Sequence, residues 1–262
     1  MQEIFIYCAV FGGIAGILAG LFGIGGGVVL VPFFLWLFTK QGFPQETIMH
    51  SAIATSLATI IITSISSVLA HHRLGSVLWG TVYKLAPGIL IGAIIGAGLA
   101  DYLPTEFLRL FFALYLFYVG VEMAFQWQTK KVKTKLSSAM LRLSGFFIGA
   151  LSSILGIGGG TLTVPLLNRY DYPMRNSVAI SSACGLPIAV SGTISFAVLG
   201  WDKTGLPEGS IGYVYWPAFV GIILASTVMA PVGAKLTHKL PTQTLKRFFS
   251  LLLFVITAKM MW

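Results

Sequence analysis

Residues 16–32 read GILAGLFGIGGGVVLVP, and residues 149–165 read GALSSILGIGGGTLTVP. The second stretch repeats the first at an offset of 133 residues, about half of the 262-residue chain. Gly23-Ile24-Gly25-Gly26-Gly27 matches Gly156-Ile157-Gly158-Gly159-Gly160, and Val31-Pro32 matches Val164-Pro165. The likeness resumes toward the end of each half. Leu103-Pro104-Thr105 matches Leu240-Pro241-Thr242, Leu108-Arg109 matches Leu245-Lys246, and Phe111-Phe112 matches Phe248-Phe249. A glycine-rich identity followed by a second colinear block marks an internal duplication. Four glycines in five residues cannot favour a helix interior, so each half carries a break within an otherwise apolar run.

The surrounding composition says what is being broken. Apolar residues make up 56% of the chain and charged residues only 10%, against about 25% charged in a soluble domain. Mean hydropathy is +0.87. Such a chain cannot cover itself in water, which excludes a soluble enzyme, a disordered tail and a disulfide scaffold. Cys8 and Cys184 lie in apolar segments with no CxxC or Cys/His cluster, so neither a disulfide framework, a metal site nor a cofactor is indicated. The net charge of +9 sits between apolar spans, the pattern of loop charge rather than of nucleic-acid binding. The start, MQEIFIYCAVFGG, has no basic residue before its apolar run and reads as the first membrane segment of the mature protein.

The expected fold is an all-α polytopic membrane protein of two inverted repeats. Each repeat is a Gly-broken helical hairpin followed by three transmembrane helices. The first repeat, residues 1–128, has its hairpin at about 4–38 and helices at about 47–70, 79–100 and 106–126. A basic cytoplasmic linker follows at 129–139. The second repeat, 140–262, has a hairpin over about 140–155 and 161–168, then spans at about 174–200, 211–234 and 242–262. The run at 28–38 is 11 residues, which at about 1.5 Å per residue reaches only half a bilayer core.

Charge supports the turn-back. If the chain reverses at each break, one side collects Arg73, Lys84, Lys130, Lys131, Lys133, Lys135, Arg142, Arg169, Arg175, Lys235, Lys239, Lys246 and Arg247. The other side keeps Lys40, Arg109, Lys203 and Lys259, a division of 13 to 4. The positive-inside rule then puts both termini outside an inner (cell) membrane and the 127–142 loop in the cytoplasm. An odd number of crossings per half inverts one half relative to the other, a pattern of secondary transporters.

Within this frame the breaks are the candidate site. Broken backbone at membrane depth survives only when buried in protein or lining a cavity. Each break precedes a short helix whose first turn is expected to hold Pro32 or Pro165. Two helix N-termini with bare N–H groups make an anion site. The competing reading is that the glycines only permit close helix packing. A nucleotide loop is excluded, since no GxxxxGK[ST] follows and neither break completes GxGxxG.

The candidate substrate-binding residues are Gly23, Gly25, Gly26, Gly27, Gly156, Gly158, Gly159, Gly160 and Thr161. To these are added the hydroxyl pairs Thr55-Ser56 and Ser181-Ser182, with Ser181 standing where the first half has Thr55. Thr59, Thr63, Ser66, Ser191, Thr193 and Ser195 are further hydroxyls more apt to bond their own helix. Gly185 and Pro187 are expected to break the helix beside the Ser pair. His50 reads as an interfacial residue, His71 and His72 as loop residues, and Lys84, Glu122 and Lys259 as snorkelling span ends. No catalytic arrangement and no carboxylate relay lies within a span.

The doubled GIGGGxxxVP element, the Thr-Ser and Ser-Ser pairs and the LPEGSIGYV stretch at 206–214 resemble the TauE/SafE-type sulfite exporter family of membrane permeases. The resemblance covers essentially the whole chain. It implies a permease for sulfite, organosulfonates such as sulfoacetate, or related small anions. The residues themselves lead as far as an inverted-repeat anion carrier with a small anionic substrate and the lipid bilayer as partners. An anion channel, a membrane scaffold or a membrane-embedded enzyme are the rival readings, and oligomeric state stays open.

The charge division generates a topology test. In a background with both native cysteines replaced, Lys131→Cys is expected to resist a membrane-impermeant thiol reagent in intact cells and to react once the cells are opened. Ready labelling from outside would reject the turn-back.

Overall fold

The structure is a computed structural model that describes residues 2–23, 25–125, 132, 136–237 and 242–261. The basic linker expected at 129–139 lies mostly outside the described residues. Ten helices and one short hairpin are present among the described residues: α1 (Gln2–Phe22), α2 (Gly27–Lys40), α3 (Ile48–Arg73), α4 (Trp79–Tyr102), α5 (Thr105–Phe125), α6 (Ser138–Leu155), α7 (Gly160–Arg169), α8 (Met174–Leu199), β1 (Ser210–Ile211), β2 (Val214–Tyr215), α9 (Trp216–Thr237) and α10 (Thr242–Met261). Six helices, α3, α4, α5, α6, α8 and α9, have the length and apolarity to cross a membrane.

The burial pattern is that of a protein in lipid. On α4 the large apolar side chains Leu90, Ile91, Ile94, Ile95 and Leu99 point outward, and on α5 so do Leu110, Leu114 and Phe117. The buried face of α4 is rich in small residues, Gly88, Gly92, Ala93, Gly96, Ala97 and Ala100, whereas α5 buries Leu108, Phe112 and Leu116. The centre belongs to α3, where every residue from Ile48 to Ile60 is buried, and to its neighbour α8.

The helices pack by exchange between the halves. α1 lies along α9, and α6 lies along α4. In both seams glycine removes the side chain where backbones touch. A Cβ on Gly12, Gly16 or Gly20 would sit 2.6, 2.5 or 2.1 Å from the carbonyl oxygens of Ile222, Ser226 and Ala230. A Cβ on Gly88, Gly92 or Gly96 would sit 2.0, 2.0 or 2.3 Å from those of Arg142, Phe146 and Ala150. The numbers rise together along each seam, so both pairs run parallel. Lipid offers no hydrophobic drive between helices, and such small-residue seams supply the close van der Waals contact instead. α3 and α8 run antiparallel, with Leu57 against Gly192 and Ser64 against Gly185. α5 and α10 do the same: Gly120 meets Phe254, and Arg109 Nε donates to Met260 O at 2.8 Å.

Several sequence expectations need correction. Pro32 and Pro165 are each the sixth residue of their helix, beyond the first turn. Each withdraws a donor from the carbonyl four residues back, Val28 or Thr161. α8 runs unbroken through Gly185 and Pro187. Gly185 serves packing there, since its missing Cβ leaves room for Gly158 O, 3.2 Å from where that Cβ would be. The span expected from 211 begins at Trp216, because Gly209 and Gly212 take positive φ and turn residues 210–215 into a hairpin.

The seams predict a contrast within one helix. Gly92→Val, with its Cβ 2.0 Å from the Phe146 carbonyl, is expected to destabilise the protein by at least about 2 kcal/mol and to lower its melting temperature in detergent. Gly98→Ala, where nothing lies within 4 Å, is expected to be neutral or stabilising. Equal melting of the two variants would refute the seam.

Candidate functional site

The two glycine-rich breaks meet in the interior. Gly23 N donates to Ala19 O at 2.9 Å and closes α1. Gly23, Gly25 and Gly26 then take φ of 68°, 71° and 81°, a region that side chains rarely adopt. Gly26 is the N-cap of α2. In the second break Gly156 caps α6 with φ 68°, and Gly159, at φ 77°, is the N-cap of α7. Neither N-cap has a side-chain capping bond. A Cβ on Gly25 would lie 3.2 Å from Gly158 Cα, and one on Gly27 would lie 2.3 Å from Gly156 O. The breaks therefore touch backbone to backbone, beside Ile60 of α3 and Gly185 of α8.

Serine hydroxyls hold the breaks from the opposite halves. Ser56 Oγ, on α3, donates to Gly156 O at 2.8 Å, and Ser181 Oγ, on α8, donates to Gly23 O at 3.0 Å. Gly23 O and Gly156 O are thus each satisfied by a helix of the other half, while Gly25 O is met within its own half by Thr63 Oγ1 at 3.3 Å. These reciprocal bonds match Ser56 with Ser181, which corrects the pairing of Ser181 with Thr55. The two dipeptides stand one residue out of register with each other. Thr55 Oγ1 instead accepts from Tyr215 N at 3.0 Å, tying β2 to α3. Ser182 Oγ accepts from Ser67 Oγ at 3.1 Å across the α3–α8 contact. Thr161, in the first turn of α7, bonds the Tyr115 hydroxyl of α5.

The structure thus brings Gly23, Gly25, Gly27, Gly156, Gly158, Ser56 and Ser181 together and sets Gly26, Gly159 and Gly160 at the starts of the two short helices. Thr55, Ser182 and Thr161 face outward from that point into other contacts. The N-termini of α2 and α7 both start from this paired break. Helix N-termini favour negative charge. Neither break contains a lysine or arginine. The glycines are demanded by backbone conformation and contact as well, so both readings of them, site and packing, apply to the same residues.

Two histidines lie elsewhere than expected. His50 is buried rather than interfacial: its Nε2 is 3.0 Å from Ala100 O and its ring stacks on Tyr213. His71 is in the last turn of α3, fully buried, with Nε2 3.0 Å from Gly20 O. A hydropathy reading ends the span early because the imidazole looks polar, whereas a carbonyl in the core gives the ring its partner. Near His50, Tyr213 donates to Asp101 Oδ1 at 2.7 Å, and Lys203 Nζ lies 3.8 Å from the same oxygen. Burial pushes the Tyr213 hydroxyl well above its ordinary pKa, which keeps it a donor. Among the described residues no group of three His, Cys, Asp or Glu could hold a metal.

A bundle of apolar helices around paired glycine breaks, with its polar groups turned inward, defines a multi-pass membrane transporter. The chain matches the family described as Sulfite exporter TauE/SafE over residues 8–260, and it belongs to that family. It is 38% identical over 261 residues to a "Probable membrane transporter protein" of Haemophilus influenzae, covering 99% of both chains. It is 28% identical to a protein of the same description from Methanocaldococcus jannaschii, over 94% of this chain and 91% of the relative. A Bacillus subtilis relative, "Probable membrane transporter protein YunE", is 25% identical over 98% of this chain and 97% of its own. No solved structure matches the chain. The family and these relatives are membrane transporters, not enzymes, so the chain handles a small molecule within a lipid bilayer.

The reciprocal bonds carry a prediction. Ser56→Ala and Ser181→Ala each leave a buried carbonyl without its hydroxyl donor, and each is expected to cost about 1–3 kcal/mol of stability. Thermal melting in detergent checks it, and unchanged melting of both variants would show that the bonds do not hold the breaks.

Proposed function

We propose that the protein is a permease for a small oxyanion, sulfite or an organosulfonate, that works by alternating access about the paired breaks. The two halves are inverted relative to each other in the cell membrane, with both termini extracytoplasmic, and the substrate binds where the short helices α2 and α7 begin. One observation carries this reading: two helix N-termini without side-chain caps start from breaks that touch each other in the interior. Such ends attract an anion without a fixed positive charge. A site without a fixed counter-charge can also release what it binds, which a carrier requires. The antiparallel course of α3 against α8 and of α5 against α10 supports the inversion. The family description supports sulfur oxyanions.

Reconstitution tests the reading. Proteoliposomes holding the full chain are expected to take up radiolabelled sulfite or sulfoacetate saturably and to show counterflow when preloaded with unlabelled substrate. Non-saturating flux without counterflow would indicate a channel, and no flux of either anion would reject the assignment. With a permanently ionised sulfonate, a pH gradient alone is expected to drive no accumulation, because the spans hold no carboxylate relay.

A further inference from the structure

We propose that the two breaks are not equivalent and that the second one supplies the hydroxyl donors that hold the oxyanion: Ser152 and Ser153 in the last turn of α6, and Thr163 in α7. This rests on the permease reading above and deepens it by naming the donors and the half that supplies them.

The observation is an unmet hydrogen-bonding capacity. Ser152, Ser153 and Thr163 are each fully buried, and none of their hydroxyl oxygens has a hydrogen-bond partner. A buried hydroxyl left unpaired costs free energy, and in helices the usual escape is a bond back to a carbonyl three or four residues earlier. This protein uses that escape elsewhere: Thr59 bonds Ser56 O, Ser191 bonds Pro187 O and Thr257 bonds Leu253 O. The three hydroxyls around the second break do not.

Ser152 stands beside the start of α7, and the other two hydroxyls lie on the helices that flank the break. Ser152 Oγ lies 3.4 Å from the position a Cβ on Gly159 would take, and Gly159 is the N-cap of α7. Ser153 Oγ lies 3.0 Å from where a Cβ on Gly192 would be, on the facing helix α8. Thr163 is the fourth residue of the ten-residue α7. The neighbouring hydroxyl of Thr161 is already engaged by Tyr115, so it does not compete for the same ligand. At the repeat offset of 133 the first half has Ala19, Gly20 and Leu30 in these places, and Gly20 is filled by the backbone of α9. Only the second break supplies hydroxyls.

The chemistry of the occupant follows. Neutral O–H donors, with Ser152 Oγ beside the N-cap of α7, suit a ligand with several acceptor oxygens and a delocalised negative charge, the class of sulfite and alkyl sulfonates.

The test uses full-length protein in proteoliposomes with radiolabelled sulfite, alongside thermal melting of the same variants in detergent with and without sulfite. Ser152→Ala/Ser153→Ala and Thr163→Val are each expected to raise KM for sulfite tenfold or more and to lose the melting shift that sulfite gives the unaltered protein. Thr163→Ser, which keeps the donor, is expected to restore KM. Ser191→Ala, which removes a back-bonded hydroxyl, is expected to leave KM within twofold. Without sulfite the alanine and valine variants should melt at or above the temperature of the unaltered protein, since each removes an unpaired buried hydroxyl. Lowered melting with unchanged KM would mean that the hydroxyls serve the fold, and would overturn the inference while leaving the permease intact. Unchanged KM and unchanged melting would overturn it equally. If the unaltered protein moves neither sulfite nor sulfoacetate, the permease reading fails first and this inference falls with it.

Discussion

A backbone carbonyl or amide at membrane depth has no water to turn to, so it must find its partner inside the protein. The two glycine-rich breaks meet that constraint through one another's half. Gly23 O is bonded by Ser181 of the second half, and Gly156 O by Ser56 of the first. A Cβ on Gly25 would lie 3.2 Å from Gly158 Cα, so the two breaks meet in backbone contact. The arrangement tolerates no side chain at these positions and no displacement of α3 from α8. The rest of the architecture serves to hold those two central helices, and the breaks threaded between them, in register.

The exchange of helices between halves follows from the same need. α1 carries its break into the core only because it is clamped along α9, and α6 only because it is clamped along α4. Both clamps are small-residue seams, so a helix with glycine on its inner face and large apolar residues outside is stable here and would be unstable in water. Each half therefore completes the other. A rocking motion between halves would necessarily change the relation between the two breaks, which connects the packing to alternating access.

The end of the bundle that carries the hairpin has its own polar fastening. Tyr213 on Asp101, His50 beside Ala100 O, and Tyr215 N on Thr55 fix the 210–215 hairpin against α3 and α4. Residues 206–214 stand out in the sequence as LPEGSIGYV. Their part in the fold comes from positive φ at Gly209 and Gly212 and from a buried tyrosine whose hydroxyl finds a carboxylate.

The sequence alone determined that the chain lives in a membrane, where its long helices run, and that two matching glycine segments interrupt it. Hydropathy, length and repetition are properties of the chain read one residue after another, and lipid imposes them directly. Only the tertiary structure decided which groups meet. It gave Thr55 to a hairpin amide and Ser56 to a break carbonyl, although they are adjacent. It buried His50 and His71 against carbonyls that no periodicity reveals. It placed Pro32 and Pro165 one turn deeper than their role as helix starters suggested. It also left Ser152, Ser153 and Thr163 without partners, in plain view within the quoted repeat yet indistinguishable there from hydroxyls that bond their own helix. Whether a hydroxyl is satisfied depends on the direction it points and on what another helix brings to that spot, and neither is written in the order of residues along one strand of sequence.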